Sequence, residues 1–143
     1  MAVRSAEAVW KGSLTEGTGI MKMASGSYEG HYSFSSRFEE GAGTNPEELI
    51  AAAHAGCYSM ALSGELGRAG YTPEQVHTTA QVHLTKGDSG FSITRVHLIT
   101  EARVPGIDQN TFQEQAEKAK KGCPVSQALG AVDEITLDAK LLS

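Results

Sequence analysis

The sequence predicts an α+β fold with mostly antiparallel strands. Short β-like pieces precede one long apolar helix. Two long alternating strands follow that helix with only a short turn between them. A helical stretch then leads to a last alternating strand. Strands gathered before and after the helices, rather than alternating with them one by one, favour separate layers over a parallel doubly wound sheet. The 143 residues are enough for one domain of ordinary size, and 1–143 is read as a single domain.

The elements follow in chain order. Residues 1–36 hold β-like pieces around Ala8–Trp10, at Gly19–Met23 after a Thr-Glu-Gly turn, and at Tyr28–Phe34, where aromatic and polar residues alternate. Residues 37–44, RFEEGAGT, read as a loop rich in charge and glycine. In TNPEEL, Asn45 is a suitable N-cap, Pro46 fits the first helical position, and Glu48 stands where a capping box places its acid. The helix is expected to run to about Gly67 or Gly70. Between 49 and 62 its residues leave almost no polar face, so most of its sides must be covered. One chain of this size with few strands would struggle to do that, and a homodimer with the helix at or near the interface is inferred, ahead of a central helix wrapped by its own sheet.

Val76, Thr78, Ala80, Val82 and Leu84 alternate with polar residues, KGDSG turns the chain, and the strand returns through Phe91–Val104. The apolar register switches near Thr94–Arg95, which predicts a β-bulge in a hairpin. PGIDQ leads into a helix over 109–121 capped at Asp108. GCPVSQALG gives a short helix with Pro124 at its first position, and Glu134–Leu141 alternates as a last strand.

Composition excludes several function classes. Apolar residues are 40% and charged residues 20% of the chain, as in a soluble globular protein. A net charge of −5 with 12 scattered Lys and Arg argues against nucleic acid as a partner. No run approaches the roughly 20 apolar residues that span a bilayer, and MAVRSAEAVWKGS lacks the apolar centre of a signal peptide. The expectation is a cytoplasmic protein without a membrane partner, in a compartment where a permanent disulfide is a poor default.

That leaves two cysteines to explain. Cys57 lies inside the apolar helix, with His54 one turn before it. Cys123 directly precedes Pro124, where its sulfur is expected to meet orphan backbone N–H groups and the positive end of a helix dipole, an environment that favours thiolate. Either cysteine can equally be an inert core residue. His54, Cys57 and Cys123 can also be read as three zinc ligands, but neither cysteine has a second one close in sequence, as structural zinc sites usually do. A Cys–His hydrolase lacks a third orienting residue at a recognisable spacing.

The stretches SRFEEGAGTNPEELIAAAHAGCYSMALS (36–63), VPGIDQNTFQEQAEKAKKGCPVSQAL (104–129) and EITLDAKL (134–141) together resemble the OsmC/Ohr family of organic hydroperoxide reductases. AAHA before the cysteine and SRFEEGAGTNPEEL are closer to the OsmC branch than to the Ohr branch. The resemblance covers nearly the whole chain. It implies an OsmC-like fold, with antiparallel sheets around a central apolar helix, and an intertwined homodimer with two sites at the subunit interface. By the same resemblance Cys57 matches the peroxidatic cysteine, Cys123 the resolving one, Arg37 the arginine that stabilises the thiolate, and Glu47 the carboxylate that holds this arginine.

The implied chemistry is a thiol-dependent reduction of organic hydroperoxides, and less well of hydrogen peroxide, in oxidative or osmotic stress defence. It needs no cofactor and no metal. An external dithiol, lipoylated proteins foremost, would restore the thiols. Burial alone would raise the Cys57 pKa, and a permanently charged arginine reverses that. Glu47 would hold the guanidinium through two hydrogen bonds. Ten residues of helix separate Glu47 from Cys57 by ~15 Å, so the Arg37–Glu47 pair is expected to serve the cysteine of the other subunit. A hydrogen-bonded core residue is the favoured reading of His54, ahead of a catalytic base. The rival functions are a peroxide-responsive redox sensor without turnover and a binding protein with incidental thiols.

Overall fold

Trp10, Gly19 and Tyr32 face one another across three neighbouring strands, and this row sets the start of the fold. In the computed structural model, which describes Met1–Ser143, strands β1 (Ala6–Lys11), β2 (Thr18–Met23) and β3 (Glu29–Tyr32) form an antiparallel sheet in that order. A Cβ on Gly19 would lie 2.5 Å from Tyr32 Cε1 and 2.7 Å from Trp10 Cε3. Glycine there lets the two rings meet, with centroids 5.4 Å apart. The chain folds as two compact units, Met1–Leu49 and Ile50–Ser143, which are described in turn.

The first unit corrects one sequence expectation. β3 stops at Tyr32, and Phe34–Phe38 forms a short helix, α1, where a strand end and a loop were expected. Ser33 and Ser36 make a reciprocal cap: Ser36 N–H donates to Ser33 Oγ at 3.1 Å and Ser33 N–H donates to Ser36 Oγ at 2.8 Å. Phe34 and Phe38, four residues apart, pack at 4.9 Å between centroids. The aromatic alternation that looks like strand is therefore partly a helical pair.

Helix α2 (Pro46–Arg68) begins as the sequence predicts, with one change. Asn45 Oδ1 accepts from Glu48 N–H at 2.8 Å, but the Glu48 carboxylate turns outward to accept from Thr44 Oγ1 at 2.7 Å. The helix ends at Arg68, and Gly70 just beyond it, with φ 93°, lets Tyr71 N–H donate to Leu66 C=O and Gly70 N–H to Gly67 C=O.

In the second unit β4 (Gln75–Gly87), β5 (Gly90–Arg103) and β6 (Glu134–Leu142) form a sheet in that order. His83 faces Arg95 and Leu84 faces Ile93, so Thr94 is the extra residue of a bulge on β5, as the register switch predicts. β6 pairs with β5 in parallel, the exception to the antiparallel rule. Helices α3 (Gln109–Gly122) and α4 (Pro124–Ala128) supply the long crossover that a parallel pair requires. Asp108 caps α3 as expected, accepting from Thr111 N–H at 2.8 Å.

Tyr58, Leu62 and Leu66 of α2 form the core with Val96, Leu98 and Ala102 of β5 and Phe112, Ala116 and Ala119 of α3. The Tyr58 hydroxyl donates to Ala116 C=O at 3.1 Å inside this core. Tyr58→Phe is expected to cost about 1 kcal/mol, read from urea unfolding with an unchanged m-value. The opposite side of α2 is bare: Ala52, Ala53, Gly56 and Gly64 are exposed, and Met60 is 79% exposed. No helix is long and apolar enough to cross a membrane.

Candidate active site

The second unit brings the two cysteines together across 66 residues of chain. Cys57, half-buried on α2, and Cys123, fully buried at the start of α4, stand with their sulfurs 2.9 Å apart, Cys123 Sγ–H donating. Both are free thiols. A disulfide bond is about 2.05 Å long, so closing the bridge needs an approach of less than about 1 Å.

The orphan N–H groups of α4 were expected to serve Cys123. One of them, that of Val125, acts on its partner instead. Cys123 is the N-cap residue of α4, but its side chain makes no cap hydrogen bond. The backbone N–H of Val125, in the first turn of α4, donates to the sulfur of Cys57. A residue at the N-cap carries its thiol beside the helix end, while Cys57 approaches that end from α2. Burial, foremost, pushes the Cys57 thiol above its ordinary pKa. The hydrogen bond from Cys123 adds to this, the Val125 N–H opposes it, and repulsion from the second sulfur adds further. Within its unit, then, Cys57 favours the thiol form.

The first unit holds an oriented cation. Arg37, in the last turn of α1, grips Glu47, in the first turn of α2. Arg37 Nη2–H donates to Oε1 at 2.8 Å, and Nε–H reaches Oε1 at 3.1 Å and Oε2 at 3.2 Å. Glu47 is only 7% exposed, while the Arg37 side chain remains 37% exposed. The carboxylate is fixed and the guanidinium keeps an open side. Each charge sits at the helix end that suits it, basic at the C-terminus of α1 and acidic at the N-terminus of α2. Arg37 also lies over the Phe38 ring, 5.2 Å from its centroid. Trp10, Leu14, Tyr32, Phe34, Arg37 and Phe38 line a hollow of about 230 Å³. Nothing in the sequence reading pointed to this hollow, because its aromatic residues come from β1, β3 and α1 and share no spacing.

His54 is fully buried, and its Nε2 is hydrogen-bonded to Ser126 Oγ of α4 at 2.7 Å, while Nδ1 has no partner. This is the hydrogen-bonded core residue that the sequence favoured. Ser126 itself went unnoticed there. No group of three or more His, Cys, Asp or Glu side chains is arranged to hold a metal ion.

Burial holds the His54 imidazole below its ordinary pKa of 6.5. The unfolded chain therefore binds the proton first, and stability should fall as pH drops from about 6.5 toward the folded-state pKa. His54→Gln, which cannot titrate, should remove this part of the acid slope in denaturation curves taken between neutral and mildly acid pH.

Comparison with known proteins shows the family and the fold. Residues 39–138 match the family model described as OsmC-like protein. The chain is 52% identical over 141 residues to Peroxiredoxin OsmC of Escherichia coli (strain K12), covering 98% of this chain and 97% of that one. It is 33% identical over 100 residues to an organic hydroperoxide resistance protein of Xanthomonas axonopodis pv. citri (strain 306), covering 68% and 67% of the two. The fold resembles the crystal structure of organic hydroperoxide resistance protein OhrB of Bacillus subtilis with a TM-score of 0.71 and 24% identity, over 96% of this chain and 98% of that one. With the family model matched over most of its length and the fold shared with solved members, this chain belongs to the OsmC/Ohr family.

Proposed function

We propose that the protein reduces organic hydroperoxides to alcohols, with Cys57 as the attacking thiolate and Cys123 as the resolving thiol. Family membership makes it a peroxidase, and so an oxidoreductase. The observation that carries the finer reading is the 2.9 Å separation of two free sulfurs, one half-buried and one buried. In the first step the Cys57 thiolate attacks the terminal oxygen of R–O–OH. The O–O bond breaks, the alkoxide takes a proton and leaves as R–OH, and Cys57 becomes the sulfenic acid. Cys123 sulfur then attacks Cys57 sulfur, its proton joins the departing hydroxide, and water leaves the new disulfide. An external dithiol, of lipoyl type, returns both thiols by exchange and is itself oxidised.

Arg37 and Glu47 enter as the charge that the site needs. A guanidinium beside the peroxide keeps Cys57 ionised and stabilises the departing alkoxide. The bare apolar side of α2, with Met60 at its centre, supports a homodimer in which a second copy covers it. In that homodimer the Arg37–Glu47 pair serves Cys57 of the partner subunit, and residues 1–143 act as one intertwined domain. The aromatic hollow beside Arg37 suits the organic part of a hydroperoxide better than it suits hydrogen peroxide. The cytoplasm, where dithiols are kept reduced, is the proposed place of action.

Steady-state turnover with a dihydrolipoyl dithiol tests the proposal, comparing cumene hydroperoxide with hydrogen peroxide. Many equivalents reduced per chain, at a higher kcat/KM for the organic substrate, support it. Consumption of a single equivalent per chain would point to a sensor. An equal or higher kcat/KM for hydrogen peroxide would contradict the substrate assignment.

A further inference from the structure

The buried His54–Ser126 pair is not consumed by the reaction above, yet it joins the two elements that carry the reacting sulfurs. His54 lies three residues before Cys57 on α2, and Ser126 lies three residues after Cys123 on α4. Three contacts therefore bind α4 to a short stretch of α2: Cys123 Sγ to Cys57 Sγ at 2.9 Å, Val125 N–H to Cys57 Sγ, and Ser126 Oγ to His54 Nε2 at 2.7 Å. The first two are the chemistry itself. The third alone involves no reacting atom.

α4 has little means of placing itself. It is five residues long and has no side-chain N-cap, and so short a helix depends on tertiary contacts. The pairing is also a poor choice for stability alone. His54 is 0% exposed and its Nδ1 is left without a partner, a cost that an apolar residue would avoid. A buried polar pair that is only half satisfied, three residues from each reacting thiol, marks a site where geometry is favoured over stability.

We propose that His54 is a positioning residue: through Ser126 it fixes the start of α4 so that Val125 N–H and Cys123 Sγ both address Cys57 Sγ. The inference rests on the peroxidase reading and adds to it the device that sets the resolving step. The pair holds the second sulfur within reach during the short life of the sulfenic acid, and it keeps the backbone donor on the first.

The test compares two disrupting variants, His54→Leu and Ser126→Ala, with two that retain a hydrogen-bonding group, His54→Gln and Ser126→Thr. Gln can present either a donor or an acceptor to Ser126, so the comparison does not depend on the imidazole tautomer. Disulfide closure is followed in single turnovers, and the Cys57 pKa by the pH dependence of alkylation. The disrupting variants should close roughly tenfold to a hundredfold more slowly, form more sulfinic acid, and show a raised Cys57 pKa. The retaining variants should recover most of the rate. Wild-type closure and pKa in the disrupting variants, or equal losses in all four, would overturn the proposal. Should one disrupting variant fail to fold by circular dichroism, the pair at the other position decides. Closure is also driven with diamide, which needs no peroxidase chemistry. A wild type that closes with diamide but turns over no hydroperoxide would refute the peroxidase reading, and the four variants would still decide the role of His54.

Discussion

Cys57→Ser is expected to lower kcat/KM for cumene hydroperoxide by on the order of 10⁴-fold or more, the scale of losing a nucleophile outright. A serine hydroxyl at this position has nearly the same size, so the core around Tyr58 and Leu62 should survive. What disappears is a group that can ionise near neutral pH and attack oxygen. Cys123→Ser should behave differently, and the difference is the informative part. Cys57 would still react once, giving a burst of one equivalent of alcohol per chain. With no thiol at 2.9 Å to condense with, the sulfenic acid would then persist, and excess peroxide would drive it to sulfinic acid. Rapid-mixing kinetics with a sulfenic-acid trap distinguish the two variants. Equal and complete loss of the burst in both would contradict the assigned order of the two sulfurs.

Arg37→Met should cost on the order of 10²–10³ in kcat/KM, the range for removing one preorganised group that stabilises developing charge. Met retains an unbranched apolar side chain while removing the cation that lies over Phe38. The loss should be accompanied by a higher pKa for Cys57, because burial then acts on the thiol without opposition from the guanidinium. The reaction rate would keep rising with pH past the point where the wild type levels off. Glu47→Gln should cost less, since the amide keeps one acceptor for Arg37 and gives up only the charge. The Arg37–Glu47 contact itself should add little to stability, because the guanidinium is 37% exposed and screened by solvent. Mixing an R37A chain with a C57A chain examines the subunit arrangement. Recovered activity supports a site shared between two copies. No recovery, with dimer exchange demonstrated, counts against it.

Much of this was legible in the sequence where local chemistry decides the outcome. Asn45-Pro46 and Asp108 signal helix starts, the glycines at 67 and 70 signal an end, and the register switch near Thr94 signals a bulge; all four appear in the structure, the helix stopping at Arg68. Helix α1 did not stand out. Its reciprocal cap uses serine at both Ser33 and Ser36, where glutamate or glutamine is the usual third-position partner, and its aromatic pair resembles strand alternation. The parallel pairing of β6 depends on a crossover, which alternation within a strand does not encode.

The candidate site divides in the same way. Cys57, Cys123, Arg37 and Glu47 were named from motifs, and the structure brings them together as two pairs, one in each unit. The donor on Cys57 escaped notice because it is a backbone N–H that becomes available only through the placement of α4. Ser126 escaped because one serine in a five-residue helix carries no spacing signal. Its contact with His54 exists only through tertiary packing across 72 residues.

The most direct test of the central claim is the mass and thiol content of the chain after one equivalent of cumene hydroperoxide, followed by peptide mapping without reduction. The account predicts that each chain loses two hydrogens and both free thiols, with the Cys57 and Cys123 peptides linked within one chain. Retention of both thiols, a Cys57 oxidised beside a free Cys123, or a link formed only between chains would contradict it.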